Sequence, residues 1–258
     1  MTAYQNLIFT IEDRVARITL NRPPLNILNI AMMKEVGHAL EQCSAQKDLV
    51  AIVFDAGKDC RAFSAGVAVE EHAEGTVFQM LEKFHGIFRQ LEQLSRPTIS
   101  VVDGPAFGGG CELVCASDIV ITSEKGRFGQ PEIKLGVFPP VAAVLLPRII
   151  GERRARELIL TGEILEANEA LRWGLVNYLV PSAQLAQKTM EILSKFRELS
   201  GVALEFTRRS LDLARGCPVE QALKQVEDIY LHELMKSKDA VEGINAFQQK
   251  RKPVWRNR

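Results

Sequence analysis

Two glutamates in this chain each close a short glycine-bearing segment, and that pairing sets the chemistry open to it. Glu112 ends Gly108-Gly109-Gly110-Cys111-Glu112, which follows an apolar strand pattern and opens an apolar, helical one. Glu132 ends Phe128-Gly129-Gln130-Pro131-Glu132, just after a second apolar strand pattern. Glycine has no Cβ, so a ligand oxygen can approach the main chain there and meet the unpaired amides of a helix's first turn. Two carboxylates beside bare amides can supply a general base, a general acid and an oxyanion site without a metal. Reactions that use such a set add or remove water, or move a proton, next to a carbonyl. The plainer reading of the glycines is a packing turn, and that of Glu132 a solvated loop residue. Glu112 resists the plainer reading, because Leu113, Val114, Cys115 and Ala116 leave it little polar company and glutamate is seldom buried without a partner.

The elements that must hold these residues follow from periodicity. Residues 4–11 and 14–20 read as a hairpin, closed off by Asn21-Arg22-Pro23-Pro24, where proline offers no amide hydrogen. Met33, Val36, Leu40 and Cys43 recur at helical spacing between Ile30 and Gln46, and Val50 to Phe54 is a buried strand. A stripe from Val77 to Leu94 marks a strongly amphipathic helix, followed by strands at Thr98 to Val102 and Ile119 to Thr122. Residues 104–110 read as a turn and 128–136 as a loop. Beyond Pro147 the pattern is helical over 152–162, 166–172, 183–199, 202–215, 219–236 and 239–249, broken only by a strand at 175–180. Strands alternating with helices predict an α/β fold with a mainly parallel, buried sheet, and the helical tail must bury its stripes elsewhere. We divide the chain into a catalytic core, 1–195, and a helical extension, 196–258.

Composition narrows the class. Lys+Arg 32 balance Asp+Glu 32, so the chain lacks the basic excess that non-specific nucleic-acid binding requires. The basic run Lys250-Arg251-Lys252 through Arg256 and Arg258 is the one local exception. Five cysteines with no Cys-x-x-Cys pair, and four scattered histidines, argue against a zinc site and for reduced thiols in the cytoplasm. No apolar run approaches the roughly 18 residues of a membrane span, and Met1 to Phe9 does not read as a secretory leader. Neither G-x-G-x-x-G nor a glycine-lysine-serine/threonine loop occurs, which removes both nucleotide-loop readings.

The whole chain resembles the crotonase (enoyl-CoA hydratase/isomerase) superfamily. The motifs that carry the resemblance are Asn21-Arg22-Pro23 with Asn26, Phe63-Ser64-Ala65-Gly66-Val67, the two glutamate segments with Leu135-Gly136, Leu160-Thr161-Gly162, and Trp173-Gly174-Leu175-Val176. The resemblance implies a spiral of ββα units with a C-terminal helical trimerisation region, assembled as a homotrimer or a hexamer of paired trimers. It implies an acyl-CoA substrate, with CoA belonging to the substrate and no separate cofactor. It further implies that the Val67 and Gly109 amides form the oxyanion hole, that Ala65, Gly66, Ala68, Gly108 and Pro139 border the substrate, and that Glu112 and Glu132 are the catalytic pair. Both glutamates together favour hydration over isomerisation. Ala68 stands where family hydratases carry aspartate, and Gly136-Val137-Phe138-Pro139-Pro140-Val141 replaces a flexible glycine-rich stretch. A stiffer wall suits a flat ring, and Glu70-Glu71-His72 with the Tyr230–Phe247 tail resembles the branch of the family that hydrates cyclic dienoyl thioesters. His72 lies a few residues past Val67 and could reach the pocket, although a surface or helix-edge place is the plainer reading. The alternatives are a general enoyl-CoA hydratase, an isomerase, thioesterase or decarboxylase of the same fold, and an RNA-binding member.

Overall fold

The computed structural model describes residues 4–257; Met1–Ala3 and Arg258, the last of the basic run, lie outside them. The chain begins with the expected hairpin, β1 (Leu7–Glu12) and β2 (Val15–Leu20), paired antiparallel from Leu7 opposite Leu20 to Glu12 opposite Val15. Helix α1 (Ile30–Ala45) starts where the Asn29 side chain accepts from the Met32 amide, a cap that satisfies one otherwise unpaired donor. Its Met33, Val36, Leu40 and Cys43 stripe is buried.

Three successive units then repeat one path. The first strand of each joins a large sheet, the second joins a small one, and a helix leads back. In the first unit these are β3 (Ala51–Ala56), a single bridge from Ser64 to Ala106, and α2 (Val77–Leu94). In the second they are β4 (Thr98–Val102), β5 (Pro105–Phe107) and α3 (Gly109–Cys115). In the third they are β6 (Ile119–Thr122), β7 (Arg127–Gly129) and α4 (Pro140–Ile150). The rest comprises α5 (Glu152–Thr161), β8 (Ile164–Glu166), α6 (Ala167–Trp173), β9 (Tyr178–Leu179), α7 (Leu185–Arg197), α8 (Gly201–Leu213), α9 (Val219–His232) and α10 (Lys238–Gln248). The large sheet runs β1-β2-β3-β4-β6-β9, parallel from β2 onward, and the small one β5-β7-β8. A ββα spiral is the outcome, as a mainly parallel sheet with helical crossovers demands.

The sequence reading needs correction between residues 104 and 166. The turn at 104–110 contains β5, and the loop at 128–136 contains the end of β7 and a 3-10 turn, Pro131–Leu135. Both strands have only three residues, too few to show a period. Helix α4 was hidden by its prolines. Pro140 sits in the first turn, where a missing N–H costs nothing, so Pro139-Pro140 opens the helix instead of preventing one.

Both faces of the large sheet are covered. Ile18, Ile52 and Phe54 pack with α1, α2 and the small sheet, whereas Val15, Val53, Ile99 and Ile121 pack with Leu185, Ile192 and Leu193 of α7. The core boundary drawn at 195 falls within the last turn of α7. The segment beyond it is tied to the core by Arg208, whose Nε donates to both Asp118 oxygens at 3.0 and 2.9 Å while Nη1 donates to the Leu91 carbonyl. Asp118 in turn accepts from the amide and hydroxyl of Thr98 at the head of β4. Farther along, α9 and α10 leave Val219, Leu223, Leu231 and Phe247 exposed. Among the described residues no helix is long and apolar enough to cross a membrane.

Arg208 is 8% exposed, while Asp118 meets solvent and keeps its bonds from Thr98, so removing Arg208 costs its charged hydrogen bonds without stranding a buried charge. Arg208→Met should lower unfolding stability by about 1.5–3 kcal/mol in a urea titration. A loss under about 1 kcal/mol would show that α8 docks by apolar contact alone.

Candidate active site

The site is assembled where the second strands of the spiral end. The chain leaves the Ser64 bridge through Gly66 (φ +105), whose position opposite the Phe107 carbonyl leaves only 3.2 Å for a Cβ. Beneath it, Ser64 Oγ donates to the Asn26 carbonyl at 2.7 Å and accepts from the Gly66 amide at 3.2 Å. Asn26 is fully buried and donates to the carbonyls of Ala62 and Phe63, both at 3.1 Å. Together these bonds fix the course of residues 62–66 before Val67 is reached.

Each of the three glycines at the start of α3 answers a different demand. Gly108 has φ 50 and ψ −126, a conformation that an L side chain rarely adopts. Its amide donates to the Gly129 carbonyl at 2.9 Å, and a Cβ on it would stand 2.5 Å from Glu132 Oε1. The bare Cα of Gly108 therefore makes room for the Glu132 carboxylate. At Gly109 a Cβ would meet Val67 Cγ2 at 2.7 Å and Phe84 Cζ at 2.9 Å. At Gly110 it would meet the Ser64 carbonyl at 2.5 Å, so that glycine serves close packing. Neither the Val67 amide nor the Gly109 amide has an acceptor among the described residues.

Ala65, Gly66, Val67, Gly108, Gly109, Glu112, Glu132 and Pro139 line one cavity. Ala68 does not; it is buried behind the wall, with its amide donating to the Leu28 carbonyl at 3.0 Å. Much of the remaining lining is apolar, including Met80, Leu81, Phe84, Val137, Phe138 and Pro140. Glu112 is 2% exposed and accepts from the Ala142 amide at 2.8 Å, in the first turn of α4. Burial pushes its carboxyl from the ordinary 4.5 up to about 7; the Ala142 amide works against this, and the nearby charge of Glu132 adds to it. Burial also raises Glu132, whose Oε2 is enclosed with no hydrogen-bond partner. The charge of Glu132 thus favours a proton on Glu112, and two carboxyls linked in this way in a dry pocket can hold a proton as well as a charge.

Two contributors escaped the sequence reading, and a third was its less favoured alternative. That third, His72, stands in the cavity wall at the end of the 3-10 turn Val69–His72. Phe84 was recognised only as part of a core stripe, yet it also borders the cavity beside Gly109. The Ala142 amide belongs to the helix that the prolines concealed. Within the basic run, both terminal nitrogens of Arg251 donate to Glu242, at 2.6 and 2.9 Å, and neither Lys250 nor Arg251 lines the cavity.

A ββα spiral bearing two facing carboxyls and two free amides in an apolar cavity defines a class, and sequence comparison agrees with it. Residues 10–258 match the family model described as Enoyl-CoA hydratase/isomerase, and the chain belongs to that family. It is 36% identical over 249 residues to the cyclohexa-1,5-dienecarbonyl-CoA hydratase of Thauera aromatica, covering 96% of this chain and 95% of that one. It is 34% identical over 254 residues to a short-chain-enoyl-CoA hydratase of Clostridium acetobutylicum, covering 96% of each chain. The crystal structure of an enoyl-CoA hydratase from Bacillus anthracis superposes with a TM-score of 0.92 at 30% identity, over 98% of this chain and 100% of that one.

The raised carboxyl has a cost in stability with a definite sign. Because Glu112 binds its proton more tightly folded than unfolded, its contribution is fully favourable below about pH 4.5 and is lost as pH rises through about 7. The loss amounts to about 3 kcal/mol at most. Glu112→Gln cannot titrate, so its stability relative to the natural protein should improve by up to that amount between pH 4.5 and pH 8 in denaturant melts. A difference that stays constant across this range would mean that the carboxyl is not held in a dry site.

Proposed function

We propose that this protein is a hydro-lyase of the enoyl-CoA hydratase type, adding water to a conjugated enoyl or dienoyl thioester of CoA. One observation carries the reading: Glu112 and Glu132 share an apolar cavity with the unpartnered amides of Val67 and Gly109. The thioester oxygen lies between the two amides, which draw electron density from the conjugated carbons and stabilise the enolate. Ala65, Gly66 and Gly108 border the thioester and the thiol end of CoA, and Pro139 borders the acyl group. A water molecule attacks the β-carbon and yields a proton to whichever glutamate is ionised. The protonated partner delivers its proton to the carbon chain, and the pair is left with the same number of protons as before. No separate cofactor enters this scheme.

For the acyl group we propose a flat ring, cyclohexa-1,5-diene-1-carbonyl-CoA, converted to 6-hydroxycyclohex-1-ene-1-carbonyl-CoA. Water then adds 1,4 across the diene, with the hydroxyl at the β-carbon and the proton at the far end. The Thauera relative supports this reading, as does a cavity wall in which Phe138, Pro139 and Pro140 replace flexible residues. It carries with it a role in the degradation of aromatic compounds, in the cytoplasm. The exposed apolar residues of α9 and α10 support assembly into trimers, alone or paired as hexamers, with residues 196–258 as the assembling extension.

Glu112→Gln and Glu132→Gln should each cut turnover by about 10²-fold or more while acyl-CoA binding stays within a few-fold. Full hydration by either variant would sink the paired-carboxyl scheme. In a panel of crotonyl-, longer enoyl- and cyclohexadienoyl-CoA run in isotopically labelled water, mass spectrometry should find label fixed in the ring acyl group with CoA still attached. Label in linear acyl groups alone would leave the hydratase reading standing and remove the ring; release of free CoA would remove both.

A further inference from the structure

The cavity that holds the glutamates has a larger neighbour. Its own volume is about 100 Å³, whereas a second cavity of about 900 Å³ lies along α2, α3, α4 and α8. Helices α2, α3 and α4 wall both, and each turns nearby residues to opposite sides. On α2, Phe84 lines the first cavity, while His85 and Phe88 line the second. On α3, Glu112 lines the first, while Val114 and Cys115 line the second. On α4, Pro140 borders both, and Val141 and Leu145 border the second alone. The partition is thus one side chain thick at Pro140. On α2 it is two aromatic rings thick, because Phe84 and Phe88 meet edge to face with centroids 5.0 Å apart.

Phe84 is the part of this partition that is fixed relative to the free amides. A Cβ on Gly109 would stand 2.9 Å from Phe84 Cζ and 3.4 Å from Cε2, so the edge of the ring lies against the Gly109 backbone. The ring is 3% exposed, and with Gly109 and Phe88 both packed on it there is little room to swing aside. The volume left in front of it is telling. An apolar cavity of about 150 Å³ takes up a molecule the size of benzene. About 100 Å³, with a mouth bordered by the exposed Leu135 and Phe138, is on the scale of one six-membered ring. An extended eight-carbon chain needs more than that.

We propose that Phe84 is a specificity-determining residue that, backed by Phe88, shuts the active-site cavity off from the second one and limits the acyl group to about one six-membered ring. A longer chain would have to pass through the Phe84 ring to reach the space beyond, where Phe88, Val114, Val141 and Leu145 offer it an apolar wall. The proposal rests on the placement of the thioester at the Val67 and Gly109 amides and deepens that reading by setting an upper size. A single misfit methylene in an apolar pocket is worth about tenfold or more.

The test uses saturated thioesters, which have no double bond to hydrate. Binding of cyclohexanecarbonyl-CoA and of octanoyl-CoA is measured by calorimetry, and the natural protein should bind the ring compound at least about tenfold more tightly. Phe84→Ala should bind octanoyl-CoA about tenfold more tightly than the natural protein does. Phe84→Leu, which removes the ring edge and keeps more of the core, should gain at least about threefold and carries the test if the alanine variant fails to fold. Adding Leu145→Trp, which fills the second cavity alone, should abolish either gain. Octanoyl-CoA bound as tightly as the ring by the natural protein, no gain in the folded Phe84 variants, or a gain that survives Leu145→Trp overturns the proposal. None of these readouts depends on turnover, so a protein that excludes octanoyl-CoA in this way yet hydrates nothing would count against the hydratase reading alone.

Discussion

The bond from the Gly108 amide to the Gly129 carbonyl is the seam on which the site depends. It joins the exits of β5 and β7, so that two successive turns of the spiral release their chains side by side. One exit becomes α3 and carries Glu112; the other becomes the 3-10 turn and carries Glu132. The carboxyls lie twenty residues apart in sequence, and neither local element alone would bring them together. A side chain at Gly108 would disturb the arrangement twice, through its backbone angles and through the space that Glu132 occupies.

The same seam explains the electrostatics. Glu112 sits in the first turn of α3, and among the described residues its carboxyl accepts one hydrogen bond, from the first turn of α4. One amide donor cannot replace the water that a carboxylate loses on burial, so the proton is held more tightly. Further donors around Glu112 would stabilise the fold and return the carboxyl to its ordinary range. Proton exchange near neutral pH needs the opposite arrangement, an under-solvated carboxyl facing a second one. Its instability is borne by the sheet and helix core around it, where Phe54, Phe128, Met32 and Met33 are wholly enclosed.

Much of this was legible in the sequence, for physical reasons that differ by element. The stripe of α2 and the unbroken apolar run of β3 are long enough to show their periods. Glu112 and the glycines stood out because each residue type is out of place for its surroundings. The small sheet was not legible, because β5, β7 and β8 have three residues each and are stabilised by neighbours distant in sequence. Helix α4 was missed because proline has opposite meanings at a helix start and in its middle, and only the fold decides between them. His72 was left between two readings for a related reason. Whether a residue at the end of a short turn meets solvent or a cavity depends on α2, which returns across it only later in the chain.

The helical tail shows how such a site can tolerate variation near it. Arg208 on α8 reaches the Asp118–Thr98 junction at the head of β4, on the sheet that supports the cavity and not in the cavity itself. Ser200 at the start of α8 donates to Asp239 at 2.6 Å, and Asp239 accepts from the amides of Arg256 and Asn257. Stability is thus drawn from ion pairs and caps remote from the two glutamates. The cavity wall from Val137 to Pro140 makes few such bonds, and Phe138 is 66% exposed. Substitutions in that wall alter the shape offered to an acyl group at little cost to the frame, whereas substitutions at Gly108, Gly110 or Asn26 disturb the frame itself. The two glutamates and the wall that shapes the cavity therefore lie in separate parts of it, the first held by the spiral and the second freer to change.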